Sequence, residues 1–188
     1  MEKCVFDNGL FEYLEIEEKM TIDGNEKNIK RKAVRRPPGI RALIINDENK
    51  ILLSHEFRYE LSEWDYRLPG GKVFDTIEEF RESLNNNTVD SFADKTVKKE
   101  VLEEVGLIVK NKNLIKISKD GATVIWDLYY YEITDFEISE TGNHLEEGEL
   151  INGYDWFTFD EVIDLCKKGT IHEDRTVGVL LTYILNHK

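Results

Sequence analysis

The stretch Lys99-Glu100-Val101-Leu102-Glu103-Glu104-Val105-Gly106-Leu107 decides how the rest of the chain is read. Val97, Val101, Leu102 and Val105 recur at helical spacing, and Gly106 is a natural C-terminal stop. The helix they define begins at Asp90 or Ser91, with Ser91 and Asp94 at the spacing of a capping box. Glu100, Glu103 and Glu104 then stand at i, i+3 and i+4 and share one face. Carboxylates so placed repel by ~0.2–0.5 kcal/mol per pair, and the last turn of a helix disfavours anions. Such a cluster is either a solvated acidic face or a set of hard oxygen ligands for a divalent cation.

Upstream, Leu68-Pro69-Gly70-Gly71-Lys72 is a loop in which two glycines permit tight turns and close approach of backbone to a ligand. Ile77 to Leu84 reads as a short helix, broken by Asn85-Asn86-Asn87. Ile40 to Ile45 and Ile51 to Phe57 are apolar runs joined by a turn at Asn46 to Lys50, and they read as two paired, buried strands. Polar and apolar residues alternate before them, with a turn at Asp23-Gly24-Asn25 and a basic stretch from Lys27 to Arg36, the pattern of a β-hairpin. Downstream, Asn113 to Ile117 and Thr123 to Ile133 have strand character, and Ser139 to Gly148 is an acidic loop. A strand ends at Trp156-Phe157, Asp160 caps a helix running to Lys168, and Arg175 to Asn186 forms the closing helix. Strands and helices interleave, which predicts a mixed α/β sandwich.

With 188 residues and 22.0 kDa, the chain accommodates one domain with a substantial core. A hydrophobic content of 40% excludes intrinsic disorder. The formal net charge of −13 repels nucleic acid and anionic membrane surfaces, so neither is an expected partner. A polyphosphate bridged to carboxylates by divalent cations is the exception. Cys4 and Cys166 have neither disulfide nor zinc spacing, and His55, His144, His172 and His187 show no ligand spacing. No apolar stretch is long enough to span a bilayer, and a cytoplasmic location is expected.

The glycine loop followed by the acidic helix resembles the Nudix box, G-x5-E-x7-R-E-U-x-E-E-x-G-U with U apolar, of the Nudix hydrolases. The resemblance implies a Nudix-type α/β/α sandwich with a mixed β-sheet. It also implies a site where Glu100, Glu103, Glu104 and the Gly70 carbonyl hold Mg²⁺ or Mn²⁺, with Glu104 catalytic. Two departures stand out. Lys99 occupies the position of the box arginine, keeping the charge without the bidentate fork. Gly71 and Lys99 are also twice as far apart as the pattern allows, so an insertion occupies about 77–90. Counting back from Lys99 puts Ser91 where the first box glutamate belongs; Glu78, Glu79 and Glu82 are possible substitutes.

The likeness extends along most of the chain. His55-Glu56-Phe57-Arg58-Tyr59 resembles the Q-[FY]-R-Y segment of ADP-ribose pyrophosphatases, which implies that Arg58 contacts substrate phosphate beside Gly70 and Gly71. Arg35-Arg36-Pro37-Pro38-Gly39 resembles the entry to the family's first core strand, with a basic pair suited to an anionic substrate. Glu146-Glu147-Gly148-Glu149 resembles an acidic loop whose glutamate completes the metal site or serves as general base, implying Glu149 first and Glu147 second. Phe11, Tyr13 and Trp64 are candidate platforms for a base. Residues 1–38 resemble the β extension through which ADP-ribose pyrophosphatases dimerise, leaving 39–188 as the hydrolase domain. The implied activity is metal-dependent hydrolysis of ADP-ribose or a related nucleotide sugar to a nucleoside monophosphate and a sugar phosphate. A Nudix-fold nucleotide-binding module without hydrolysis is the alternative.

Overall fold

The computed structural model describes residues 1–188 apart from Asp120, Ala122, Glu146, Glu147, Glu149 and Lys188. Its central strand β4 (Gly39–Ile44) alternates between two cores. Ile40, Ala42 and Ile44 face one apolar cluster, and Leu43 faces the other. Side chains of a strand point alternately to its two faces, so a strand covered on both sides requires a nearly continuous apolar run, here interrupted only by Arg41, which is ion-paired with Glu173. The strands β5 (Ile51–Arg58) and β9 (Leu128–Ile138) divide in the same way: Leu52, Tyr129 and Tyr131 lie on the first side, Leu53, Leu128 and Tyr130 on the second.

Helices α1 (Ile77–Asn86) and α2 (Val89–Val105) cover the first face, and α3 (Phe159–Lys168) and α4 (Asp174–His187) cover the second. The layer between them consists of two three-stranded sheets. One has the order β4-β9-β7, with β7 spanning Leu107–Ser118 and β4 parallel to β9. The other has the order β10-β5-β6, with β6 at Glu63–Arg67 and β10 at Ile151–Phe157. The expected α/β/α sandwich with mixed strand directions is therefore present.

Ile40 to Ile45 and Ile51 to Phe57 do not form the expected pair. One isolated bridge joins Ile45 to Ile51, after which β4 and β5 enter different sheets. Asn46 drives the turn, its Oδ1 accepting from the N–H groups of Glu48 and Lys50 at 3.0 Å. The parallel partner β9 lies far along the chain, and such pairing leaves no local signal in sequence.

The N-terminal strands β1 (Glu2–Asp7), β2 (Glu12–Ile22) and β3 (Asn25–Arg35) form a meander, and β8 (Val124–Ile125) joins it parallel to β3. The expected hairpin is β2–β3, turned at Asp23 and Gly24, both with positive φ. The extension is fastened to α1 by a buried carboxylate. Glu12, 1% exposed, accepts from Arg35 at 2.6 Å and from Arg81 of α1 at 2.6 Å. Arg81 also pairs with Asp7 at 2.6 Å, and Ile77 N–H donates to Gly9 O at 2.8 Å.

Helix α2 buries Ala93, Val97, Val101, Glu104 and Val105 on one stripe, while Leu102 is only half-buried. Full burial of a valine contributes about 1.5–3 kcal/mol, so Val97 and Val101 suffice to dock the helix. It starts at Val89 after Thr88, without a side-chain cap; Ser91 and Asp94 lie exposed inside the helix and form no capping box. Gly106 ends α2 in the left-handed region (φ 67), as its position in the sequence predicts. Caps are made by Thr76 on α1 and Thr158 on α3, each reciprocated by a glutamate three residues on; Asp160, expected as the cap of α3, lies in its first turn. Neither cysteine is in a disulfide; Cys4 is exposed and Cys166 half-buried.

Candidate active site

The end of α2 and the glycine loop meet, as the motif predicts. Gly70 N–H donates to Glu104 Oε2 at 2.9 Å. Gly71 faces Glu100 so closely that a Cβ there would lie 2.5 Å from its carboxylate, and a Cβ on Gly70 would lie 2.1 Å from the Ile40 carbonyl oxygen. Both glycines are therefore required by close approach, one to a side chain and one to the backbone of β4.

The three glutamates do not share one environment. Glu104 is only 7% exposed, at a place in the stripe where the helical period calls for an apolar residue. Burial and the nearby Glu100 hold its carboxyl well above the usual range, against the lowering effect of the Gly70 N–H. Glu100 and Glu104 line one cavity. Glu103 does not; its Oε2 is shielded from water without a hydrogen bond, and Lys99 Nζ stands 2.9 Å away as an ion pair. Lys99 also lies 3.8 Å from Glu100 Oε1, so the lysine at the arginine position bridges two of the three carboxylates as a point charge. Ser91 lies in the first turn of α2, about 20 Å of helix from Glu104, so a carboxylate at that position would not reach the Glu100–Glu104 pair.

A cavity of about 610 Å³ opens over this pair. Its lining carries six cationic side chains, Arg36, Arg41, Arg58, Arg67, Lys72 and Lys99. Five are ion-paired. Arg41 makes a bidentate contact with Glu173 at 2.9 and 3.0 Å, Arg67 meets Asp65 at 3.0 Å and Glu56 at 3.3 Å, and Arg58 is held between Glu56 and Glu60, each at 2.6 Å. Lys72 pairs with Asp75 at 3.4 Å, and Lys99 with the box glutamates. Arg36 has no carboxylate partner among the described residues. Its guanidinium lies 4.4 Å from the Trp126 ring centre, while Arg175 lies 4.2 Å from the same ring. Burial, then the charges of Arg41 and Arg175, lower its pKa, which marks a place short of negative charge.

The buried pairs form one network. Glu56, Arg67, Asp65, Glu173 and Arg41 connect β4, β5 and β6 to the start of α4, and His172 donates its backbone N–H to Asp65 at 3.0 Å. Sequence reading missed Arg41, Arg67 and Glu173 because their partners are remote in the chain. It also placed Trp126 inside a strand, whereas Trp126 sits between β8 and β9 and lines the cavity. Phe11, Tyr13 and Trp64 are not among the cavity-lining residues; Trp64 stacks on His55 instead. Glu79 lines the cavity but spends its carboxylate on the N–H of Thr76, and Glu82 lines it from an exposed position; Glu78 is not in the lining. Glu147 and Glu149 lie outside the described residues. Their described neighbours Gly148 and Leu150 accept from the Tyr59 hydroxyl at 3.3 Å and the Phe57 N–H at 2.9 Å, on either side of Arg58.

The donors suit a divalent cation. Glu100 and Glu104 repel each other beside a backbone loop, and Glu103 stands one position away with its carboxylate held by Lys99. Among the described residues, no three His, Cys, Asp or Glu side chains could enclose an ion by themselves. Mg²⁺ is commonly held by one or two carboxylates, with water and substrate phosphate completing its shell.

The sequence matches a family model described as the NUDIX domain over residues 35–177. No curated protein matches it. A solved structure titled "Crystal structure of ADP compounds hydrolase" is similar in fold, with TM-score 0.63 and 15% identity, covering 100% of this chain and 90% of that one. Among the described residues no helix is long and apolar enough to cross a membrane.

Proposed function

The chain belongs to the Nudix family and is a Nudix pyrophosphohydrolase, and on that footing we propose that it cleaves the diphosphate of ADP-ribose or a related nucleotide sugar, releasing a nucleoside monophosphate and a sugar phosphate. The observation that carries this reading is the Glu100–Glu104 pair set against Gly70 and Gly71 at one end of a cavity large enough for such a ligand. The similar fold of a protein named as an ADP compounds hydrolase agrees with an adenosine-containing substrate.

Glu100, Glu104 and the Gly70 carbonyl are the groups that would hold Mg²⁺ or Mn²⁺, with Glu103 acting through water. Such an ion, when bound, neutralises diphosphate charge and lowers the pKa of the attacking water. Arg36 offers the diphosphate a guanidinium that has no carboxylate partner among the described residues, and Arg58 offers a second once its pairs with Glu56 and Glu60 rearrange. Gly70 N–H fixes the Glu104 carboxylate, and Arg41 and Arg67, both paired with Glu173, line the same cavity. Glu149, or Glu147, is assigned as the base that takes the proton of water, an assignment supported by the contacts of Gly148 and Leu150 beside Arg58.

Residues 1–38 are assigned as a dimerisation element. Every residue of β1 is exposed, and Phe6, 54% exposed, lies on this edge of the sheet. Light scattering should give twice the 22.0 kDa chain mass; a monomer removes this assignment. A turnover screen with Mg²⁺ and Mn²⁺ over ADP-ribose, other nucleotide sugars, dinucleoside polyphosphates and reduced dinucleotides tests the substrate class. Greatest kcat/KM on a nucleotide sugar supports it, and preference for a dinucleoside polyphosphate overturns it.

A further inference from the structure

The insertion that separates the glycine loop from the acidic helix forms one wall of the cavity. Four residues of α1 line it, Glu79, Glu82, Ser83 and Asn86, at the i, i+3, i+4 and i+7 positions of one stripe. Facing them, α2 contributes Phe92 and Thr96 and then Glu100. The cavity is thus a trough with the Glu100–Glu104 pair at one end. Phe92 lies about 12 Å further along the α2 axis at the helical rise per residue.

The chemistry of the far end differs from that of the near end. Glu79 is occupied by its cap, and Ser83 Oγ is bonded to Thr88 Oγ1 at 2.8 Å, tying the two helices together. Glu82, Asn86 and Thr96 have no side-chain hydrogen bond or ion pair among the described residues. Phe92 is 43% exposed and rests on Phe74, ring centres 5.1 Å apart. An exposed carboxylate accepts O–H donors and repels anions, a primary amide both donates and accepts, and an aromatic face takes the C–H side of a ring. The wall is also held rigidly, because Arg81 on the same helix is clamped by Glu12 and Asp7.

We propose that the trough between α1 and α2 is the subsite for an uncharged, hydroxyl-rich group carried on the diphosphate, a sugar, recognised by Glu82, Asn86 and Thr96 with Phe92 beneath it. The insertion is thereby the element that selects a nucleotide sugar and rejects a substrate whose far end bears phosphate. This rests on the pyrophosphohydrolase reading for the position of the diphosphate.

Binding of the α,β-methylene analogue of ADP-ribose, measured by calorimetry with Mg²⁺, is compared with that of the methyl ester of α,β-methylene-ADP, which lacks the sugar. Wild type should favour the sugar-bearing analogue. Glu82→Lys and Asn86→Ala, both at exposed positions, should each weaken that analogue about ten-fold and leave the methyl ester unchanged. Equal weakening of both, no weakening of either, or no sugar preference in wild type overturns the proposal. Turnover of ADP-ribose is followed in parallel. A wild type that shows the sugar preference in binding but cleaves nothing refutes the hydrolytic reading and leaves the trough standing. Cleavage with the sugar preference intact in both variants refutes the trough alone.

Discussion

Gly70 N–H hydrogen-bonds Glu104 Oε2 at 2.9 Å, so the backbone of the glycine loop fixes a carboxylate that α2 carries into the protein interior. Glu104 takes a place in the buried stripe with Val97, Val101 and Val105. A charged group there is costly unless something compensates it, and the loop's N–H is one such group.

The two glycines should respond differently to the same change. Gly70→Ala drives a Cβ into the Ile40 carbonyl and should lower stability by about 3 kcal/mol, the upper end of overpacking costs. Gly71→Ala meets the movable end of Glu100 first, so melting should change little while turnover falls as Glu100 is displaced. Thermal melts and kcat of both variants check the contrast; equal melting losses would contradict it.

Glu173 links pH to stability. Burial alone would raise its pKa, but Arg41 and then Arg67 and Thr176 outweigh burial and hold it at about 2, below the ordinary value of 4.5. A depressed carboxylate stabilises the fold above the unfolded pKa and loses that contribution as pH falls through the folded one. Glu173 should therefore contribute about 3 kcal/mol at pH 7, lost between about pH 4.5 and 2. In denaturant titrations Glu173→Gln should be less stable by that amount at neutral pH, with the gap closing in acid. A gap independent of pH would refute the coupling.

Glu12 lies between Arg35 and Arg81 and should be needed to hold α1 against the N-terminal sheet. Glu12→Gln should cost about 2 kcal/mol, less than the ~3–5 of a fully enclosed pair because both arginines reach solvent. Urea unfolding gives the value, and a neutral substitution would show the clamp to be idle.

Arg36 and Arg58 line the same cavity but start from different states. Arg36→Ala should raise KM about ten-fold or more, since its guanidinium is unpaired among the described residues and a charge-assisted contact is worth ~1.5–3 kcal/mol. Arg58→Ala should have the smaller effect, because binding substrate requires breaking its contacts with Glu56 and Glu60. Steady-state kinetics of the two variants rank them, and the reverse ranking would overturn the assignment of Arg36.

The sequence made the local parts of this site legible. Glu100 and Glu104 are bound to Gly70 and Gly71 by a motif whose spacing survives at its helical end, and Gly106 marks the helix stop through its own backbone freedom. Pairings between distant segments were not legible. Arg41 finds Glu173 across most of the chain, β4 finds β9 rather than β5, and Trp126 reaches the cavity from an irregular link between strands. Nor does helical spacing alone separate Glu103 from Glu104, since adjacent residues differ by about 100° around the axis and only packing decides which one is enclosed.

The most direct test is the turnover of Glu104→Gln on ADP-ribose with Mg²⁺, together with its melting temperature. Gln can still accept from Gly70 N–H while removing the charge, so the fold should stay intact and kcat should fall at least ~100-fold. A folded variant with near wild-type turnover would contradict it.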